Sequence, residues 1–356
     1  MNQKEKELFL ELSKLKAPNE KKIEKLLKDG YASYEVLGML FVNRMAGVAY
    51  HVLNQTKLLD KADREFRNSI KNASVLNQKI NDDFRGCINH LTTELESCGV
   101  PYALLKGAYL CHWYPKGCRT SNDIDILVAP ENVGKISAKL KMAGFRQGYL
   151  KNGVFEPATR QQIIESKMSR GETVPFIKET KLSYIPYLEV DINFSLDYKN
   201  SDDAVLKEML SRTQIVTVNS TKVRTLDPCD FLLHLCAHLY KEATTVPWIR
   251  MKRDMTFYKY EDIYGLLMDL KEADYNNLML RAEQYNMKSE VFYCIKSIES
   301  LFNLPIFVSF QLTGAELNAL NEVVAPAEKK MYWYTESNIS KRFFEKDRMK
   351  LLEVVE

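Results

Sequence analysis

The sequence predicts an α+β protein, in which a mixed β-sheet with helices lies between N-terminal and C-terminal helical regions. Three observations carry this. Apolar residues recur at three- and four-residue steps toward both ends, the period shortens to two in the middle, and strand and helix patterns alternate there between Gly and Pro stops. The implied divisions are a helical region over 1–97, a core over 98–226 and a second helical region over 227–356. At 356 residues with 46% hydrophobic content, the chain has ample material for a buried core.

The N-terminal period is explicit in Leu8, Leu12 and Leu15, and again in Val36, Leu37, Leu40 and Phe41, with Pro18 and Gly30 as punctuation. Residues 81–97 form a further amphipathic helix ending at Cys98-Gly99, where glycine suits a left-handed cap. The period then changes. Residues 100–105 are a short apolar run that reads as a buried strand, ended by Lys106-Gly107. A short helix over 108–114 and a turn at Pro115-Lys116-Gly117 lead into a second strand over 123–128. Pro130 closes that strand, and 131–143 is a helix capped at Gly144. Residues 145–149 and 174–178 are candidate strands around a helical stretch at 157–170.

The clearest later strand is 187–194, where Leu188, Val190, Ile192 and Phe194 face one way and Glu189, Asp191 and Asn193 the other. Residues 214–218 and 222–225 flank Asn219-Ser220-Thr221 as a hairpin. Helices resume over 228–242 and 260–270 and continue to about residue 301. Pro305 opens a mixed apolar stretch, and 329–356, rich in Lys, Arg and aromatic residues, reads as a docked helix or an arm.

Composition narrows the function classes. Fifty Lys and Arg against 47 Asp and Glu leave a formal charge of +3, too small a field to point to nucleic acid or a membrane surface. The first seven residues lack an apolar signal region and no later run approaches a membrane span, so a cytoplasmic protein is expected. Cys87, Cys98, Cys111, Cys118, Cys229, Cys236 and Cys294 are odd in number and scattered, which argues against a disulfide framework or a zinc site.

The chemistry concentrates in two places. Asp123 and Asp125 stand two apart on a strand, so both carboxylates leave one face while Ile124 and Ile126 enter the core. Two adjacent like charges call for a cation, and Mg²⁺ takes carboxylate and phosphate oxygens, with Mn²⁺ as the alternative. A second metal roughly 3.5–4 Å away would complete a two-metal site. Asp191 is the natural third carboxylate, with Glu189 on the same face as the alternative. In the second place, Leu104-Leu105-Lys106-Gly107-Ala108, a strand turns into a helix whose N-terminus would face a phosphate. Lys106 adds a mobile cation there, Gly107 permits close approach, and Arg119 offers a planar fork for phosphate.

Lys106-Gly107, the spacer, Arg119 and Asp123-x-Asp125-x-Leu127-Val128 together resemble the nucleotidyltransferases of the DNA polymerase beta-like superfamily, especially the bacterial branch first described as uncharacterised nucleotidyltransferases. The resemblance spans residues 85–265 and implies a nucleotidyltransferase-type mixed sheet as the catalytic core. It implies that Gly107 contributes to nucleotide phosphate binding, that Asp123 and Asp125 bind metal, and that Asp191 fills the third acidic position. Ala108 departs from the pattern, standing where the superfamily often has Ser or Gly, so a hydroxyl contact is lost that backbone N–H groups and Lys106 could supply instead.

The expected reaction moves a nucleoside monophosphate from a nucleoside triphosphate such as ATP to an acceptor, with release of pyrophosphate. A small molecule, a protein or RNA remains open as acceptor. A catalytically degenerate nucleotide-binding scaffold is the alternative, as is an RNA-interacting module built on Lys329-Lys330-Met331-Tyr332-Trp333-Tyr334 and Lys341-Arg342-Phe343-Phe344. His234 and His238 share a helix face at i, i+4 without a completing Glu, and read as packing or substrate-facing residues rather than metal ligands.

Overall fold

The computed structural model of the protein describes residues 2–196, 203–218, 221–306 and 312–355. The chain packs as two compact units, one of Ser74–Phe231 and one of Met1–Ala73 with Leu232–Glu356.

The Ser74–Phe231 unit is built on a six-stranded mixed sheet. Its strands are β1 (Tyr102–Leu104), β2 (Asp123–Val128), β3 (Arg146–Lys151), β4 (Val154–Pro157), β5 (Phe176–Glu179) and β6 (Tyr187–Asn193), in the order β1-β2-β6-β5-β3-β4. β2 and β6 pair in parallel, and the other neighbours pair antiparallel. A parallel pair requires a crossover, and the chain between β2 and β6 supplies it with the helices Val133–Met142 and Arg160–Arg170 and strands β3 to β5.

The period of two decides what each face of this sheet meets. Tyr102 and Leu104 of β1, Ile124, Ile126 and Val128 of β2, and Leu188, Val190 and Ile192 of β6 all lie in one buried cluster. Phe84, Ile88, Leu91 and Leu95 of the helix Arg64–Glu96, with Ile136 and Leu140 of Val133–Met142, complete it. Each fully buried Ile, Leu or Val contributes on the order of 1.5–3 kcal/mol. The opposite face is therefore left to Asp123, Asp125, Glu189 and Asp191.

Two local features differ from the sequence expectation. The helix expected from residue 157 begins at Arg160, because 154–157 pairs with β3 as β4. The connection is Asn152-Gly153, both at positive φ (52° and 77°), a two-residue turn whose twist matches the strands it joins. The second concerns the tail, where β9 (Glu322–Ala325), β10 (Lys330–Tyr334) and β11 (Leu352–Val355) form an antiparallel sheet in the order β11-β10-β9. The run Lys330-Met331-Tyr332-Trp333-Tyr334 is thus a strand, as its aromatic content favours, and Tyr334 is buried with Val246, Ile249 and Val323. The run 341–344 does lie on a helix, Ile339–Phe344, and Phe343 is buried with its ring centroid 5.9 Å from that of Phe9.

β7 (Gln214–Val218) and β8 (Thr221–Thr225) pair antiparallel as expected, while their Asn219-Ser220 connection lies outside the described residues. So do residues 307–311 of the stretch opened by Pro305, and Glu356 of the tail. No single described helix is long and apolar enough to cross a membrane.

Candidate active site

The parallel register of β2 and β6 sets Asp123 beside Glu189, Asp125 beside Asp191 and Leu127 beside Asn193. Neighbours in such a pair project to the same face, so four carboxylates share the side of the sheet away from the core. Asp125 is buried, and Asp123, Glu189 and Asp191 are half-buried.

Hydrogen-bond donors reach the β2 pair. The Ser121 hydroxyl donates to Asp123 Oδ1 at 2.6 Å. Lys106 Nζ donates to Asp125 Oδ1 at 3.0 Å, and Asn193 Nδ2 donates to the same oxygen at 3.2 Å. Among the described residues, no such donor reaches Glu189 or Asp191. Burial, then the charges of Asp125, Glu172, Glu189 and Asp123, holds the Asp191 carboxyl well above the usual carboxylate range. Glu189 is raised more modestly, by burial and then by Asp123 and Asp125.

The turn after β1 is built differently from the sequence expectation. Leu105 N–H donates to the Asp125 carbonyl at 2.9 Å, which extends the β1–β2 ladder to the site. Lys106 then takes φ 43°, ψ −118°, a backbone conformation that side chains rarely adopt. Such a residue stores about 1–3 kcal/mol of strain, and its ion pair with Asp125 helps to hold it there. The glycine is required one position later, for a different reason. A Cβ on Gly107 would collide with Ser121 Oγ and Cβ, so the close approach that Gly107 permits is that of the Ser121 side chain.

The helix Arg64–Glu96 anchors the loop leading into β2. Asn77 Nδ2 donates to the Gly117 carbonyl and Asn81 Nδ2 to the Arg119 carbonyl, each at 2.9 Å. Gly117 has φ 83°, and a Cβ there would sit 2.6 Å from Ser74 O and Oγ. Only glycine closes the loop so tightly against the helix.

Lys106, Gly107, Asp123, Asp125, Glu189 and Asp191 are therefore gathered at one place. Ala108 is fully buried in the core cluster, and its N–H donates to the Leu105 carbonyl at 3.2 Å. Arg119 is buried, with Nη1 donating to the Thr120 carbonyl. His234 and His238 stack at 6.3 Å between ring centroids, and His238 Nε2 lies 3.5 Å from Glu242 Oε1. No disulfide joins the seven cysteines among the described residues.

Three residues of the site were not singled out from sequence. Ser121 sits two positions before Asp123, a spacing that gave a signal. Asn193 lies on the acidic face of its strand, but only the β2–β6 register brings it to Asp125. Glu172 reaches Asp191 because residues 171–173 run along β6, with Thr173 N–H donating to the Ile192 carbonyl and Glu172 bridged to Asn193; nothing in the sequence announces that.

The family described as "Uncharacterised nucleotidyltransferase" matches residues 34–303, about three-quarters of the chain. The chain belongs to this family. Its general chemistry is therefore nucleotidyl transfer. Among solved structures, the chain is similar to the antibiotic-resistance factor ANT(2'')-Ia, at 11% identity over 60% of this chain and 97% of that one, with a TM-score of 0.35. It is also similar to an antigenic nucleotidyltransferase-like protein from Paracoccidioides brasiliensis, at 13% identity over 63% and 98% of the two chains, again with a TM-score of 0.35. No curated protein matches the sequence.

The donor set fits a divalent cation in chemical type. Carboxylate oxygens on one strand face are the ligands Mg²⁺ takes, and the charge crowding that adds to burial in raising Asp191 is a repulsion a cation would relieve. Among the described residues no three His, Cys, Asp or Glu side chains converge on one point; the register brings the carboxylates side by side rather than into a finished cage.

Proposed function

We propose that this nucleotidyltransferase moves a nucleoside monophosphate from a nucleoside triphosphate, ATP among them, to an acceptor hydroxyl on a small molecule, a protein or RNA. The acceptor oxygen bonds to the α-phosphorus, the bond from that phosphorus to the α–β bridging oxygen breaks, pyrophosphate leaves, and the hydroxyl proton is released. The observation that carries this is the in-register pairing of Asp123 with Glu189 and Asp125 with Asp191, with Lys106 alongside.

Asp123, Asp125 and Asp191 are the residues that would hold Mg²⁺ or Mn²⁺, as one ion or two. Bound there, such ions supply positive charge that lowers the proton affinity of the acceptor oxygen and offsets the charge of the leaving pyrophosphate. Lys106 carries a cation at the mouth of the same turn, suited to the donor phosphates, and Gly107 keeps that turn tight. Arg119, buried beside Thr120, supports the loop's shape. The backbone of Ala108 is engaged within its own turn, which leaves the polar contacts to its neighbours. A cytoplasmic location goes with this reading, since among the described residues the seven cysteines form no disulfide.

The test is label transfer. Wild type and Asp123→Asn are incubated with each α-labelled nucleoside triphosphate, Mg²⁺ or Mn²⁺, and a cell extract. Transfer by wild type and a drop of about 10³-fold in the variant are expected; equal transfer by both would remove Asp123 from the chemistry.

A further inference from the structure

Gly107, on the turn after β1, is mechanically linked to Ser121 and Asp123 at the start of β2. The Ser121 side chain occupies the space that any Cβ on Gly107 would fill, and from there its hydroxyl donates to Asp123 Oδ1 at 2.6 Å. A bond of that length from a hydroxyl to a carboxylate is in the charge-assisted range. It engages one oxygen of Asp123 and leaves Oδ2 to other partners. Asp125 is held in the same manner, with both Lys106 and Asn193 donating to Oδ1. In each of the two β2 carboxylates, the protein's donors thus converge on one oxygen.

We propose that Ser121 is a positioning residue for Asp123, and that Gly107 is glycine because the Ser121 side chain must lodge against it. This deepens the nucleotidyl-transfer reading and rests on it. Ser121 acts through Asp123, fixing the carboxylate by its Oδ1 so that Oδ2 would be left for a cation, and the turn after β1 is thereby coupled to the orientation of Asp123. Donors that orient metal-binding carboxylates typically change metal affinity by 10–100-fold when removed.

The test reads metal binding directly, without substrate. Mn²⁺ affinity is measured by electron paramagnetic resonance on the full chain for wild type, Ser121→Ala, Asp123→Asn, Gly107→Ala, Ser121→Gly and the Gly107→Ala/Ser121→Gly double variant, with circular dichroism to verify folding. Ser121→Ala is expected to weaken Mn²⁺ about tenfold. Gly107→Ala should weaken it similarly in the wild-type background and have little further effect once Ser121 is Gly. Wild-type affinity in Ser121→Ala, together with weakened binding in Asp123→Asn, would overturn the role of Ser121 and leave the metal role of Asp123 standing. Equal Gly107→Ala effects in both backgrounds would overturn the coupling. Unchanged binding in Asp123→Asn would overturn the underlying reading as well. Ser121→Ala deletes a single half-buried hydroxyl, so it keeps the question answerable even if Gly107→Ala fails to fold.

Discussion

β2 and β6 lie side by side in parallel, and each presents two carboxylates to the same face, yet the protein treats the two pairs differently. Asp123 and Asp125 are each met by a donor: Ser121 for the first, Lys106 and Asn193 for the second. Glu189 and Asp191 receive none among the described residues, and Asp191 is pushed furthest from its ordinary proton affinity. The difference teaches that strand alternation places charge but does not decide how it is stabilised. One pair is held by donors from its own neighbours, and the other is not.

The contrast can be broken first at β6. Asp191→Asn is expected to lower nucleotidyl transfer about 10³-fold and Glu189→Gln about tenfold, measured under single-turnover conditions with saturating triphosphate. The reverse order would assign the third acidic role to Glu189.

A smaller effect sharpens the β2 side. In Lys106→Gly the ion pair to Asp125 is lost, but the residue at φ 43° becomes one that tolerates it. Nucleotide affinity, read with a fluorescent triphosphate, should fall about tenfold, since the variant lacks a cation worth on the order of 1.4 kcal/mol at the phosphates. Thermal stability should change by less than about 1 kcal/mol. A large loss of stability with intact nucleotide binding would make Lys106 a scaffold residue instead.

The smallest effect is on folding itself. Asp191→Asn removes both the cost of burying a charge and the repulsion of the neighbouring carboxylates, so it should raise unfolding free energy by about 1 kcal/mol in urea titrations. Asp125→Asn breaks a largely buried pair with Lys106 and should lower it by about 1–2 kcal/mol. If both substitutions shift stability in the same direction, the two strands are not treated differently after all.

The parts of the fold that were legible in sequence are those where local pattern and tertiary role agree. β2 was readable to the residue because its carboxylates alternate with Ile124, Ile126 and Val128, and β6 was readable to within one residue because Leu188, Val190 and Ile192 alternate in the same way. The Asn152-Gly153 dipeptide is a strong turn signal, but the flanking β3 and β4 lack the apolar rhythm that would mark them as strands. The tail strand β10 was not readable as a strand because five residues of mixed basic and aromatic character fit either period, and β11, which covers one of its edges, lies well downstream.

Within the candidate site, the identity of the acidic residues followed from residue type and spacing alone. Asp123 and Asp125 had to share a face once they stood on a strand, because a strand has a period of two whatever surrounds it. The sequence also contained the Lys106-Gly107 turn and the family to which the chain belongs. Tertiary structure alone decided that Asp125 lies beside Asp191, that Glu172 adds its charge, and that Gly107 makes room for Ser121. These are facts of register and close approach between segments distant in the chain. Local periodicity fixes the direction a side chain takes, but only the pairing of strands and the packing of a turn against a loop determine what it meets.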